Sequence, residues 1–378
     1  MKVEYKLQTD RQTDRQTDRQ TDLDAIRALA AICVVVNHTV ESVYKLNIDN
    51  INSLSNISKI ICFCGFTFGR IGVPLFLFLT GYLLLSRTYD NNRIKKFYKH
   101  NFAPLLFVWE IWIFIYCVFI ACYNSTPFDF AAYFRRAFFL EHAGLSHTWY
   151  MPMIIGMYIF IPYVATALER INNKTLGIIM FIMYIYLFVV PCINLWQKAL
   201  QVADNQSFKS QIDLSYGGNT YGLYLTMGVL IFRYKDQLNT FFKEKKLTAY
   251  LLFVSIVITA FASTVYMQIK LYSMNAPYNV WYNSPGLPII GACVFISMLQ
   301  VKWIYFIQVI LKKLSLCSFG IYLTHKMILM MLIRAIGDVH NKPSQIIIIS
   351  VITFLLSYII VELLSMIPYV KYLFLKKE

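Results

Sequence analysis

The stretch Leu23–Ser42, LDAIRALAAICVVVNHTVES, decides how this chain is read. Twenty helical residues extend about 30 Å, the thickness of a bilayer's hydrocarbon core. Most of the stretch is apolar, yet Asp24, Arg27 and His38 interrupt it. Ionisable groups in hydrocarbon cost at least ~2.5–3.5 kcal/mol for Arg, Lys or Asp at the centre, so they usually face a polar cavity and carry function. Arg27 and His38 are eleven residues apart. At 100° per residue that spacing falls about 20° past three full turns, so the two share one helix face, ~16 Å apart along the axis. Asp24 precedes Arg27 by one turn, within side-chain reach. A membrane histidine often serves only as an interhelical hydrogen bond. The aligned arginine favours a functional reading, with a basic anchor at the membrane entrance and an imidazole deeper in.

The rest of the chain extends this pattern. Of 378 residues, 58% are hydrophobic and only 15% charged, with a mean hydropathy of +0.53. Ten apolar segments are predicted to cross a bilayer: 25–44, 60–86, 101–122, 148–168, 175–196, 216–232, 247–267, 285–303, 313–333 and 346–370. The fold class expected is an all-α, polytopic integral membrane protein of about ten transmembrane helices. The second segment carries Gly65, Gly69, Arg70, Gly72 and Pro74, a composition that predicts a break or kink. Arg70, Glu110, His325, Lys326 and Glu362 are further ionisable groups inside spans.

A net charge of +15 invites a nucleic-acid partner, but its distribution argues against one. With the amino terminus cytoplasmic, the inward segments hold 23 Lys and Arg and the outward segments 9. That asymmetry is the positive-inside rule, and it predicts both termini in the cytoplasm. The densest inward patch is Arg87, Arg93, Lys95, Lys96 and Lys99, which suits topology and a polyanionic cosubstrate equally well. The eight cysteines show no zinc-like spacing, and no metal is expected. Cys62, Cys64, Cys122 and Cys192 lie where a disulfide is open to them, although small packing residues are the favoured reading. No phosphate loop or dinucleotide glycine pattern occurs.

Before the first span, residues 8–22 read QTDRQTDRQTDRQTD, a four-residue unit copied without error. The run holds no apolar residue, so a polar leader over 1–22 is expected to be disordered. A tract of ACAG units encodes this peptide in every frame, and gain or loss of one unit shifts everything downstream. The repeat therefore points to an expression switch acting on the gene, that is, phase variation. The expected organisation is this leader, a transmembrane domain over 23–371 and a basic cytoplasmic tail over 372–378.

Four stretches carry a family resemblance. LDAIRALAAICVVVNH holds Arg27, ten residues and His38; GRIGVPLFLFLTGYLLLSR ends in the step Thr80-Gly81-Tyr82; HTWYMPMIIGMYIFIPYV holds Trp149, Tyr150, Tyr158 and Pro162; SFGIYLTHKMIL holds Tyr322 and His325. Over residues 23–370 the chain resembles the bacterial acyltransferase family 3 membrane proteins, most closely the branch like the enterobacterial common antigen O-acetyltransferase. The family's basic pair Arg-x-x-Arg stands here as Arg93-Ile-Lys-Lys96, which keeps the charge but loses one planar fork.

The resemblance implies transfer of an acyl group, acetyl from acetyl-CoA, to a hydroxyl of a cell-surface glycan at the bacterial cytoplasmic membrane. Under it, His38 is the base or acyl carrier, Asp24 orients Arg27, and Arg27, Arg93 and Lys96 hold the donor's phosphates. Arg70 lines the cavity or stabilises the oxyanion, and Tyr150 and His325 contact the acceptor or simply pack. The rival reading is a carrier that moves a polar solute without chemistry.

Overall fold

The computed structural model describes the backbone of residues 2–201, 208 and 210–375, with side chains from Thr21 onward. The described residues form helices joined by turns and irregular loops, with no strand among them. Eight helices are long and apolar enough to cross a membrane: Thr21–Val43, Asn56–Leu85, Asn91–Asn124, Tyr150–Glu169, Asn173–Ala199, Lys246–Ser273, Tyr305–Ile336 and Pro343–Ser365. The other two expected spans are the helices Asn219–Arg233 and Gly286–Met298, of 15 and 13 residues. At about 1.5 Å per residue they fall short of a ~30 Å core. A turn over Ser215–Gly218 delays the first of them, and Pro285 opens the second.

Both short helices pack against the second span. Asn219–Arg233 approaches it backbone to backbone at two glycines. A Cβ on Gly81 would strike the Leu225 carbonyl, and one on Gly228 would strike the carbonyl of Phe78. Small residues at such crossings let helices come close where water supplies no hydrophobic drive.

The second span breaks as its composition predicts. Helix Asn56–Arg70 ends at Ile71, and Gly72–Thr80 resumes before a widened π turn over Gly81–Leu85. Pro74 has no N–H to offer the Arg70 carbonyl, which loosens the ladder there. The first span is the most enclosed: 78% of its apolar window is buried, against 17% for Lys246–Ser273. It packs on both halves of the second span and on the last two, so the ionisable groups of its inner face meet protein rather than lipid.

Over the polar leader the backbone is helical, continuous from Lys2 to Val43. No Gly or Pro occurs between those residues, and extending a helix already nucleated by a packed span costs far less than starting one. Val370–Phe374 forms a short helix, Phe374 is buried and Trp112 Nε1 donates to the Leu373 carbonyl at 3.0 Å; residues 376–378 lie outside the described ones. None of the eight cysteines is in a disulfide, in keeping with the favoured reading as small packing residues, and Cys317 donates to Glu362 at 3.1 Å. Unfolded, unreduced protein is expected to take up eight alkylating groups by intact mass, and six or fewer would mean a disulfide.

Candidate active site

Near the end of the first span, His38 and Glu41 lie one turn apart on the same face. His38 Nδ1 and Glu41 Oε2 are 2.8 Å apart. A carboxylate only accepts hydrogen bonds, so Nδ1 carries the proton and Nε2 keeps its lone pair. Glu41 is itself fixed by Arg70, whose Nη2 donates to Oε1 at 3.0 Å. Arg70 in turn donates to Tyr282 Oη at 3.3 Å and sits 4.5 and 4.7 Å from the ring centroids of Phe66 and Trp281. The break at Ile71 comes directly after Arg70, so an irregular helix presents this guanidinium to the first span. Lys326 also acts on Glu41 through space.

Two further imidazoles close on His38. Its ring centroid is 5.3 Å from that of His325 and 6.1 Å from that of His147, and those two are 4.9 Å apart. His325 Nδ1 donates to the Tyr322 carbonyl at 2.7 Å. Tyr322 Oη donates to the His147 carbonyl at 3.0 Å, tying span Tyr305–Ile336 to the loop that bears His147. That loop is braced by Arg135 and Arg136, which donate to Glu141 at 2.7 and 3.0 Å. Those bonds hold the Glu141 carboxyl below its usual range.

Two cavities meet at this cluster. One is lined by Asn37, His38, His147, Trp149, Tyr150, Tyr282 and Tyr322, among others. The second holds Arg27, Arg87, Asn101, Tyr158 and Ser318. Phe76, Tyr150 and Tyr322 belong to both. Three aromatic side chains therefore separate His38 from the space beside Arg27.

The residues singled out in the sequence divide into groups. Asp24 and Arg27 meet, Arg27 Nη1 donating to Asp24 Oδ1 at 3.1 Å, while Ser315 Oγ donates to the same oxygen at 2.6 Å. His38 and Tyr150 line the inner cavity, while His325 is fully buried against His38 and lines neither cavity. Arg70 lines neither cavity; its hydrogen bonds go to Glu41 and Tyr282. Arg93 and Lys96 are exposed and line neither cavity, and Arg93 is tied to its own loop by a 3.0 Å bond to the Thr88 carbonyl. Arg87, from the same basic patch, does line the outer one.

Sequence reading passed over Glu41, although its spacing from His38 was a usable signal. It also passed over His147, in a loop where no periodicity reports a partner. Among the described residues, no group of His, Cys, Asp and Glu has an arrangement that could hold a metal ion.

A carboxylate-held imidazole thus lines a cavity inside a bundle of membrane-length helices, an arrangement whose chemistry is proton transfer. The family comparison specifies the reaction. The model of the acyltransferase 3 family, described as an acyltransferase domain, matches residues 20–362. The chain belongs to that family and is a multi-pass membrane acyltransferase. No curated protein and no solved structure matches it.

Proposed function

We propose that this acyltransferase moves an acetyl group from acetyl-CoA to a hydroxyl of a cell-surface glycan or its lipid-linked precursor. Its place would be the bacterial cytoplasmic membrane, with both chain termini inside. The observation that carries the reading is the 2.8 Å His38–Glu41 bond beside a cavity sharing three walls with the one that holds Arg27. His38 Nε2 takes the proton of the acceptor hydroxyl as its oxygen bonds to the thioester carbon. The carbon–sulfur bond breaks, and the imidazolium returns the proton to the departing thiolate. Glu41 keeps the ring in the reactive tautomer and stabilises the imidazolium, as an acidic partner does in hydrolytic triads. Arg27, oriented by Asp24, and Arg87 offer two cations to the donor's phosphates.

Purified protein in vesicles, given acetyl-labelled donor and a glycan acceptor, should place label on the acceptor and release free thiol. Solute movement across the vesicle with the thioester intact would instead favour a carrier. Reporters after Glu378 and within 233–247 are expected to read cytoplasmic, and one within 123–147 external; an external carboxyl terminus would refute this orientation.

The leader belongs to the same proposal as a genetic switch. Removing Thr9–Gln20 in frame should leave transfer per molecule unchanged, because a polar segment of this composition has no core to contribute. Adding one four-base unit to the gene should abolish full-length protein. Mixed codons across the repeat would sink the switch.

A further inference from the structure

Two buried polar atoms beside His38 play no part in the proton transfer and have no hydrogen-bond partner among the described residues. His147 is 1% exposed and Asn37 3% exposed, and both line the inner cavity. These atoms are His147 Nδ1 and Asn37 Oδ1, which find no hydrogen-bond donor among the described residues. Buried acceptors are rarely left so, and each needs an account.

The protonation of His147 follows from its neighbours. Tyr116 Oη donates its single proton to the Leu323 carbonyl at 2.9 Å. At 3.3 Å from His147 Nε2, that oxygen can only accept, so Nε2 carries the ring proton and Nδ1 is bare. Burial first, then the charges of His325, His38 and Lys326, push the His147 pKa well below its ordinary value, which keeps the ring neutral. The cavity thus offers lone pairs from His38 Nε2, His147 Nδ1 and Asn37 Oδ1. Its free space is about 20 Å³, enough for hydroxyl-sized groups and not for a whole ring, so the ring of an acceptor packs beyond it, against aromatic walls such as Trp149 and Tyr150.

We infer that His147, assisted by Asn37, binds the acceptor through a second hydroxyl adjacent to the one that reacts, so the site takes vicinal diols of a polyol ring in preference to isolated alcohols. The inference rests on the acyl-transfer reading of this same site. The geometry suits it: imidazole centroids 6.1 Å apart can be bridged by two hydrogen bonds of about 2.8 Å to neighbouring hydroxyls. His147 is then a specificity-determining residue, and His38 remains the base.

The test uses two six-membered rings with the same reactive group, cyclohexanol and trans-1,2-cyclohexanediol, with acetyl-CoA and the full-length protein in vesicles. Wild type should use the diol with a kcat/KM per hydroxyl about two- to tenfold above cyclohexanol, the size expected for one net hydrogen bond. His147→Phe should bring the ratio to about one, mostly by raising the KM for the diol, and His147→Gln, which restores an amide oxygen, should recover part of it. Tyr116→Phe frees the ring to switch tautomer and should also narrow the ratio, without altering the cavity wall.

A wild-type ratio of about one per hydroxyl overturns the inference even if no variant folds. So does a ratio that survives His147→Phe. If acetyl reaches neither alcohol nor any glycan, the acyl-transfer reading fails separately. Saturation-transfer NMR of the two alcohols on the same vesicles then decides the inference, since preferred binding of the diol supports it and equal binding overturns it.

Discussion

His38→Ala should lower acyl transfer by about 10²–10⁴-fold, the range general acid–base catalysis supplies, while membrane insertion and monodispersity persist. The reason lies in what the ring touches. Its Nδ1 is committed to Glu41 at 2.8 Å, so removing it leaves the acceptor hydroxyl facing the cavity with no base. Glu41→Gln should also fall steeply, and in a distinguishable way. A glutamine can donate where the carboxylate accepted, which turns Nε2 into a donor in part of the molecules, and it cannot offset the imidazolium charge. Its kcat should drop with little change in the KM for the donor, because Glu41 lines neither cavity. Glu41→Asp should recover part of the loss. If His38 were only an interhelical hydrogen bond, His38→Gln would restore both activity and stability, and His38→Ala would lower them together. Transfer normalised to inserted protein separates these outcomes, and normal specific activity in His38→Ala would remove His38 from the mechanism and make His325 the next candidate.

The parts of this arrangement legible in the sequence are those that depend on one helix at a time. Arg27 and His38 share a face because the helical period fixes their separation, and Asp24 reaches Arg27 for the same reason. The irregular second span was legible because Pro74 lacks an N–H whatever surrounds it. Span length was less so. Apolar composition continues across residues 216–232 and 285–303, but turns and Pro285 shorten the helices within them, and only their packing on the second span, through Gly81 and Gly228 for one and Gly291 for the other, explains how such short helices fit. Contacts between distant segments were not legible. Glu41 meets Arg70 across 29 residues, and Tyr116 meets His147 across 31. Nothing in the loop around His147 announces that it will close on two other imidazoles. The basic patch was hard to read for a related reason: its five cations look alike in sequence, and only the fold brings Arg87 to the outer cavity while Arg93 bonds the Thr88 carbonyl.

That distinction yields the second large effect. Arg27→Ala should raise the donor KM by about 10–100-fold, since a hydrogen bond to a charged group contributes about 1.5–3 kcal/mol and each 1.4 kcal/mol is tenfold. Arg27 is fit for the role because Asp24 and Ser315 fix it while its side chain stays 32% exposed. Arg27→Lys should rescue only partly, because a point charge cannot replace a planar fork. Arg87→Ala should raise the same constant from the other wall of the cavity. Changing Arg93 and Lys96 together should raise it less than Arg87→Ala alone, since both are exposed away from the cavities and exposed charges are screened over about 8–10 Å. In every case kcat at saturating donor should hold, because binding is lost and the His38–Glu41 pair is untouched. The decisive comparison is the donor KM of the Arg87 variant against that of the Arg93–Lys96 double variant. If the double variant is the weaker binder, the phosphates dock on the exposed loop and the cavity at Arg27 holds some other part of the substrate.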